Sequence, residues 1–281
     1  MDAQKTLARP VELEGLGVHS GRAVRLGLFP SSSGEILFRR TDLGGAELLL
    51  RPDRVESRNS TTLVGDHFKV QTVEHLLAAL YAYGVGSLVI ALDADEIPIM
   101  DGSALPFVRA LEKAGFADLA ARRPVLKVRK TVLREEKDAW VRLDPVAGGE
   151  ELALEYTIVY SHPSIGTQRL GLSLTPASFA EGIAPARTFG FLKDVELYHK
   201  QGLALGASID NTVVLDETSV VNPPLRFPDE FVRHKLLDIT GDLALLGRPL
   251  AAKVTAYKAG HRLHLETVLF LLAHPEYWAE G

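Results

Sequence analysis

The apolar pattern of this chain runs strands first and helices second, and then does so again. Apolar and polar residues alternate over residues 11–28 and 35–40, between Gly and Pro signals, as in strands with one buried face. Residues 73–82 carry apolar positions at helical spacing, with Thr72 as the expected N-cap and Gly84 just beyond the end. Residues 87–92 read as a buried strand, and residues 105–114 as a helix opening near Pro106 and closed by Gly115. After the Arg-rich stretch 120–124 the order restarts, with strands predicted at 125–133, 139–143 and 152–159. Helical stretches follow around 178–180 and 230–246, with a Gly-punctuated segment, 188–216, between them. An apolar helix, 263–273, closes the chain. Such a doubled order predicts an α+β fold built as two similar domains, 1–121 and 122–281. No period of 20 to 50 residues is present, which excludes a solenoid.

Composition narrows the chemistry. With 46% hydrophobic and 24% charged residues, the 281-residue chain can bury a core and is not of the disordered class. Its 31 Lys and Arg against 36 Asp and Glu give a net charge of -5 without a long basic run, which argues against a nucleic-acid partner. Cysteine is absent, so disulfides, thiolate nucleophiles, zinc ribbons and iron–sulfur clusters are excluded together, and any metal must be held by His, Asp and Glu. The start, MDAQKTLARPVELEG, lacks the basic and apolar regions of a secretory signal, so a cytoplasmic protein is expected. The longest uncharged run, 76–92, is broken by Gly84, Gly86 and Ser87 and falls short of the ~20 residues of a spanning helix, so no transmembrane segment is expected.

Three stretches can carry chemistry. In HKLLDITGD, residues 234–242, His234, Asp238 and Asp242 fall on nearly one helix face, and an imidazole and a carboxylate one turn apart can converge on a divalent ion. The same pair can also be an ordinary surface i, i+4 contact, but the flanking leucines make this an otherwise apolar helix. Glu74-His75 opens the earlier helix; the dipole alone favours a Glu there. In the functional reading His75 completes a three-ligand set with His234 and Asp238, leaving a position open for water, and Glu74 takes the proton. His261, after Gly260, is a candidate acid that Asp242 could hold as a cation. His19, in the turn 17–21, is explained by turn chemistry and is kept as a substrate-contact candidate. Thr188, with Phe189 and Phe191, forms a glycine-hinged loop that proves nothing alone.

Together these segments resemble the zinc-dependent UDP-3-O-acyl-N-acetylglucosamine deacetylases of lipid A synthesis. The resemblance rests on LEGLGVHSG from Leu13, QTVEHLLAAL from Gln71, EIPIMDGSALPFV from Glu96, ARTFGFLKDVE from Ala186, QGLALGAS from Gln201, LRFPDEFVRHKLLDITGDL from Leu225 and TAYKAGH from Thr255, in the family's order over nearly the whole chain. It implies Zn²⁺ held by His75, His234 and Asp238, with Glu74 as general base. It also implies His261 supported by Asp242, Thr188 facing the developing oxyanion, and Lys235 contacting the nucleotide sugar. Phe189, Phe191 and Tyr160 fall at substrate contacts. The implied fold places the helix layers of the two domains face to face, with a βαβ insert near 190–216 that takes the acyl chain. The chain departs from the pattern at Val221-Asn222-Pro223-Pro224, at Arg262-Leu263-His264, and near Trp140, where Lys137 is the nearest match to an expected lysine. The implied reaction is hydrolysis of the acetamide to acetate and a free amine, by a monomer. Its alternatives are another zinc amidohydrolase or a non-catalytic nucleotide-sugar or lipid-binding homologue.

Overall fold

The structure is a computed structural model that describes residues 3–57, 59–147 and 151–281. The alternation over residues 11–28 resolves into two antiparallel strands, Val11–Leu16 and Ala23–Pro30. Val24, Leu26 and Leu28 bury one face of the second strand, and the positions between them are exposed or half-buried. These strands continue through Leu88–Leu92, Ile36–Arg40 and Ala46–Leu49 into a five-stranded sheet in that order. Leu88–Leu92 runs antiparallel to Ala23–Pro30 and parallel to Ile36–Arg40. Helices α1 (Glu74–Ala82) and α2 (Leu105–Ala114) share the core with this sheet.

Helix α2 has the expected bounds: Pro106 sits in its first turn and Gly115, at φ 70°, ends it. At α1 the structure differs. Val73 holds the cap position with no side-chain cap, while Thr72 stands at φ 57° and its hydroxyl donates to Glu96 at 3.0 Å. Thr72 is therefore not the N-cap: Val73 holds that position, and the Thr72 side chain, at a positive φ, is turned toward Glu96 rather than toward the first N–H groups of the helix.

The later part of the chain forms a seven-stranded sheet. Its order is Val132–Glu136, Ala139–Asp144, Leu250–Tyr257, Leu126–Val128, Trp278–Glu280, with the hairpin of Leu152–Val159 and Thr167–Ser173 also joined to Leu250–Tyr257. The strand expected over 125–133 is thus two strands. The break falls where Arg129 and Lys130 both donate their backbone N–H groups to the Tyr277 carbonyl. Helix α3 (Pro176–Gly182) is closed at its start by a reciprocal Thr175–Ser178 capping box. Phe189–Phe191, helix α4 (Leu192–Lys200) and Val213–Leu215 make a strand–helix–strand unit with parallel strands.

Helices α5 (Glu230–Leu243) and α6 (His261–Ala273) bring the rest of the chemistry-bearing residues inward. Helix α5 packs between α1 and α6, and its contact with α1 is unusually close. A Cβ at Gly241 would lie 2.1 Å from the Glu74 carbonyl oxygen, so only glycine allows this crossing. Among the described residues no helix is long and apolar enough to cross a membrane. The fold is α+β, as the doubled pattern predicts.

Candidate active site

The close crossing at Gly241 sets His75, in the first turn of α1, against His234 and Asp238 on α5. His75 Nε2 lies 3.9 Å and His234 Nε2 3.4 Å from Asp238 Oδ1, and the two rings meet edge to face at 5.1 Å between centroids. All three side chains are buried. Their hydrogen bonds leave the inward atoms open: His234 Nδ1 is 3.2 Å from the Ala186 carbonyl, and Lys235 Nζ donates to Asp238 Oδ2 at 2.7 Å. The His234 tautomer fixed in this way presents Nε2 as a lone pair. Burial, reinforced by the neighbouring His234, pushes His75 down to about 3, and burial also lowers His234, so both rings are neutral ligand donors. Asp238 is held well below the usual carboxylate range: burial opposes this, but Lys235 and the histidines outweigh it.

These residues fit a divalent cation. Ligand bonds of about 2.0–2.2 Å at a tetrahedral angle subtend roughly 3.4 Å between donor atoms, close to the separations seen here. Two neutral imidazoles and one carboxylate leave a fourth position open, and His75 Nδ1 is buried without a hydrogen-bond partner.

Beside this trio lies a second cluster. Asp242 Oδ2 is 2.8 Å from His261 Nδ1 and equally 2.8 Å from His264 Nδ1, while the Thr61 hydroxyl donates to Asp242 Oδ1. Burial works against a charged His261, yet Asp242 and Asp238 outweigh it and hold the ring up to about 10. Asp242 is correspondingly kept down to about 2, against burial, by His261 and His264. Glu74 Oε2 accepts the Thr61 backbone N–H at 3.0 Å, and burial, opposed by His261, pushes the Glu74 carboxyl up to about 7. A carboxyl poised near neutrality next to a stable imidazolium is a base–acid pair.

A cavity of about 400 Å³ reaches this centre. Glu74, His75, Thr188, Phe189, Phe191 and His19 stand on its wall, and its far side is apolar, with Val195, Ile209 and Val221. The Thr188 loop is fixed by backbone bonds, Thr188 N to Gly102 O and Val213 N to Thr188 O, each 2.8 Å. Lys235 packs 5.5 Å from the centre of the Phe189 ring. Tyr160 stands behind the cavity wall, 5.8 Å from Phe189 and 6.1 Å from Phe191 between ring centres.

A family model described as LpxC: UDP-3-O-acyl N-acetylglycosamine deacetylase matches residues 4–273. The chain belongs to this family. Relatives named UDP-3-O-acyl-N-acetylglucosamine deacetylase include one from Pseudoalteromonas translucida, 42% identical over 99% of this chain and 93% of its own length. Another, from Oleidesulfovibrio alaskensis, is 44% identical over 97% of this chain and 90% of its own. A third, from Myxococcus xanthus, is 43% identical over 97% and 87%.

Thr61, His264 and Glu230 also shape this LpxC-family site, and of these only His264 carries a signal in the sequence. Thr61 touches both Glu74 and Asp242, but one threonine in Ser60-Thr61-Thr62 gives no signal until the chain closes. His264 stands three residues after His261 on α6, a spacing that would have marked it. Glu230 is fully buried and accepts from Arg187 N, Nε and Nη2 and from Arg226 N, which ties the Thr188 loop to the start of α5.

Proposed function

We propose that this chain hydrolyses the N-acetyl group of UDP-3-O-(3-hydroxyacyl)-N-acetylglucosamine, giving acetate and the free amine, as a zinc-dependent, cytoplasmic, monomeric enzyme of lipid A biosynthesis. The observation that carries this reading is the convergence of His75, His234 and Asp238 with a near-neutral Glu74 and a charged His261 at the end of an apolar-walled cavity. The chain is read as two domains, 1–121 and 122–281, contributing His75 and the His234–Asp238 pair respectively.

His75, His234 and Asp238 would hold the zinc, which supplies Lewis-acid polarisation and acidifies water. Glu74 is placed to take the proton from the attacking water, since its carboxyl sits near the working pH. As the carbonyl carbon becomes tetrahedral, negative charge grows on its oxygen, and Thr188 and the His261 cation are the donors assigned to it. One such donor is typically worth about 2.7–4 kcal/mol. The departing nitrogen needs a proton, and either His261 or the Glu74 that has gained one can deliver it; Asp242 keeps His261 charged until then. Lys235 is assigned to the nucleotide sugar, with Tyr160 and His19 as outer contacts. The acyl chain would lie along Phe189, Phe191 and the wall built by α4 and Val221, where each buried methylene contributes about 0.8 kcal/mol.

Acetate release from the acylated nucleotide sugar, measured with zinc content, tests the reading. Glu74→Ala should keep its zinc and lose activity by orders of magnitude. Turnover of peptides or other amides in preference to the nucleotide sugar would point to a different amidohydrolase, and tight substrate binding without acetate release would point to a binding protein.

A further inference from the structure

Apart from His19, which stands on the cavity wall, the turn 17–21 and the glycines after Gln201 supply no group to the proposed reaction. They meet at Glu96. Its side chain is completely buried. Oε1 accepts the His19 N–H at 2.9 Å and the Thr72 hydroxyl at 3.0 Å; Oε2 accepts the Ser20 N–H at 2.8 Å and the Ser20 hydroxyl at 2.6 Å. All four are neutral donors. The carboxylate lies so close to Gly17 that a Cβ there would fall 2.2 Å from Oε2.

Each partner leads to a different side of the cavity. Thr72 is β-branched and stands at φ 57°, a conformation that costs of order 1–3 kcal/mol and persists only where its surroundings hold it. It lies two residues before Glu74 and three before His75, so its backbone sets where α1 begins. The 17–21 turn leads to the apolar wall. Gly206 N donates to the Val18 carbonyl at 3.0 Å and Leu205 N to the His19 carbonyl at 3.1 Å. A Cβ on Gly206 would lie 2.2 Å from the Gly17 oxygen, so the two backbones touch directly.

We propose that Glu96 is a positioning residue that clamps both sides of the active site, the strained start of α1 and, through the 17–21 turn, the wall at residues 204–206. The proposal rests on the deacetylase reading for its kinetic arm and on metal binding for an independent one. A glutamine cannot replace this carboxylate, because its amide nitrogen would face a donor already pointing at it.

The test compares Glu96→Gln, Thr72→Gly and the double variant, each stripped of metal and titrated with Co²⁺ by its visible spectrum, then loaded with zinc and assayed for acetate release. Glu96→Gln should weaken Co²⁺ binding, raise KM and lower kcat by about 10- to 100-fold, the scale of a 1 Å misplacement. Adding Thr72→Gly should restore Co²⁺ affinity and most of kcat, because glycine holds a positive φ without a clamp. KM should stay raised, because the turn remains unclamped. Losses in the double variant that equal or exceed the sum of the single losses would overturn the proposal, as would a Glu96→Gln protein within about twofold of wild type in all three quantities. If Glu96→Gln fails to fold, Ser20→Ala decides: it should raise KM and leave kcat and Co²⁺ affinity unchanged, and an unaltered KM refutes the clamp. Wild type that binds Co²⁺ but releases no acetate refutes the deacetylase reading and leaves the Co²⁺ arm to judge Glu96.

Discussion

Asp242 serves two imidazoles and a hydroxyl with one carboxylate, and this sharing determines what its neighbours can do. Oδ2 takes both rings, so the orientation of the carboxylate depends on what holds Oδ1, which is the Thr61 hydroxyl. Thr61→Val keeps the shape and the backbone bond to Glu74 but removes that donor. A hydrogen bond to a charged group is worth about 1.5–3 kcal/mol, so kcat should fall roughly 10- to 100-fold with bound zinc unchanged. Steady-state kinetics with metal analysis checks this, and a kcat equal to wild type would show that the two imidazoles fix Asp242 without Thr61. Glu230 poses the opposite case, in which the charge matters for stability. Burial pushes its carboxyl up, yet hydrogen bonds from Arg187 and Arg226 outweigh burial and hold it below the usual range. A carboxyl depressed in the folded state adds stability that is fully present above the unfolded value of about 4.3 and is lost as pH falls through the folded value. Glu230→Ala should therefore cost about 3 kcal/mol near pH 7 by leaving the largely covered Arg187 without its counter-ion. In urea denaturation the gap from wild type should narrow steadily below about pH 4; a gap that does not change with pH would exclude a charge effect.

Among the elements, what could be read from the sequence follows what each one buries. Helix α2 is readable to the residue because Pro106 and Gly115 punctuate it; α5, with twelve of its fourteen residues buried, is readable as an apolar helix over 230–246, of which 244–246 prove to be a 3-10 turn. The His234–Asp238 spacing carried the metal hypothesis for the same reason, since polar groups on a buried helix need partners. Helix α4 buries none of its residues; its short apolar row, Leu192, Val195 and Tyr198, lines the cavity instead of the core. The strand Thr167–Ser173 alternates only between exposed and half-buried positions. Thr72 reads as a cap in the sequence because local propensity carries no trace of Glu96, which is 24 residues away. The close approach of α1 and α5 was equally invisible: Gly241 looks like a helix breaker in sequence, and only the fold shows that it makes room for the Glu74 backbone. Gly241→Ala improves helix propensity but forces a methyl group into that backbone. Overpacking of this kind costs typically about 1–3 kcal/mol, against the ~1 kcal/mol that alanine gains in a helix. The variant should be net destabilised and should bind zinc more weakly, because any relief separates His75 from His234. Urea denaturation of the metal-free protein and a zinc titration measure the two effects. Improved stability with unchanged zinc affinity would show that the helices have slack.

At the scale of the whole molecule, the proposed metal would act as a cross-link. His75 comes from the first 121 residues and His234 and Asp238 from the remainder, so the three-ligand set exists only when α1 and α5 are docked. An ion that binds the folded chain and not the unfolded one stabilises it by RT ln(1 + [L]/Kd), about 2.7 kcal/mol at a hundredfold excess over Kd. For a chain of this size that corresponds to a rise of roughly 5–10 °C in the unfolding midpoint, taking about 2–4 °C per kcal/mol. Chelation should lower the midpoint by that amount, and added zinc should restore it. His75→Ala removes the ligand contributed by α1, so its midpoint should no longer respond to zinc even if the His234–Asp238 pair retains weak affinity. A scanning-calorimetry series of the zinc-loaded, stripped and His75→Ala proteins separates the cases. If the wild type carries one zinc per chain and its midpoint does not move on stripping, the unfolded chain binds the ion equally well. The ligands would then be local to one segment, and the docking of α1 against α5 would owe its stability to the apolar core and the Gly241 contact alone.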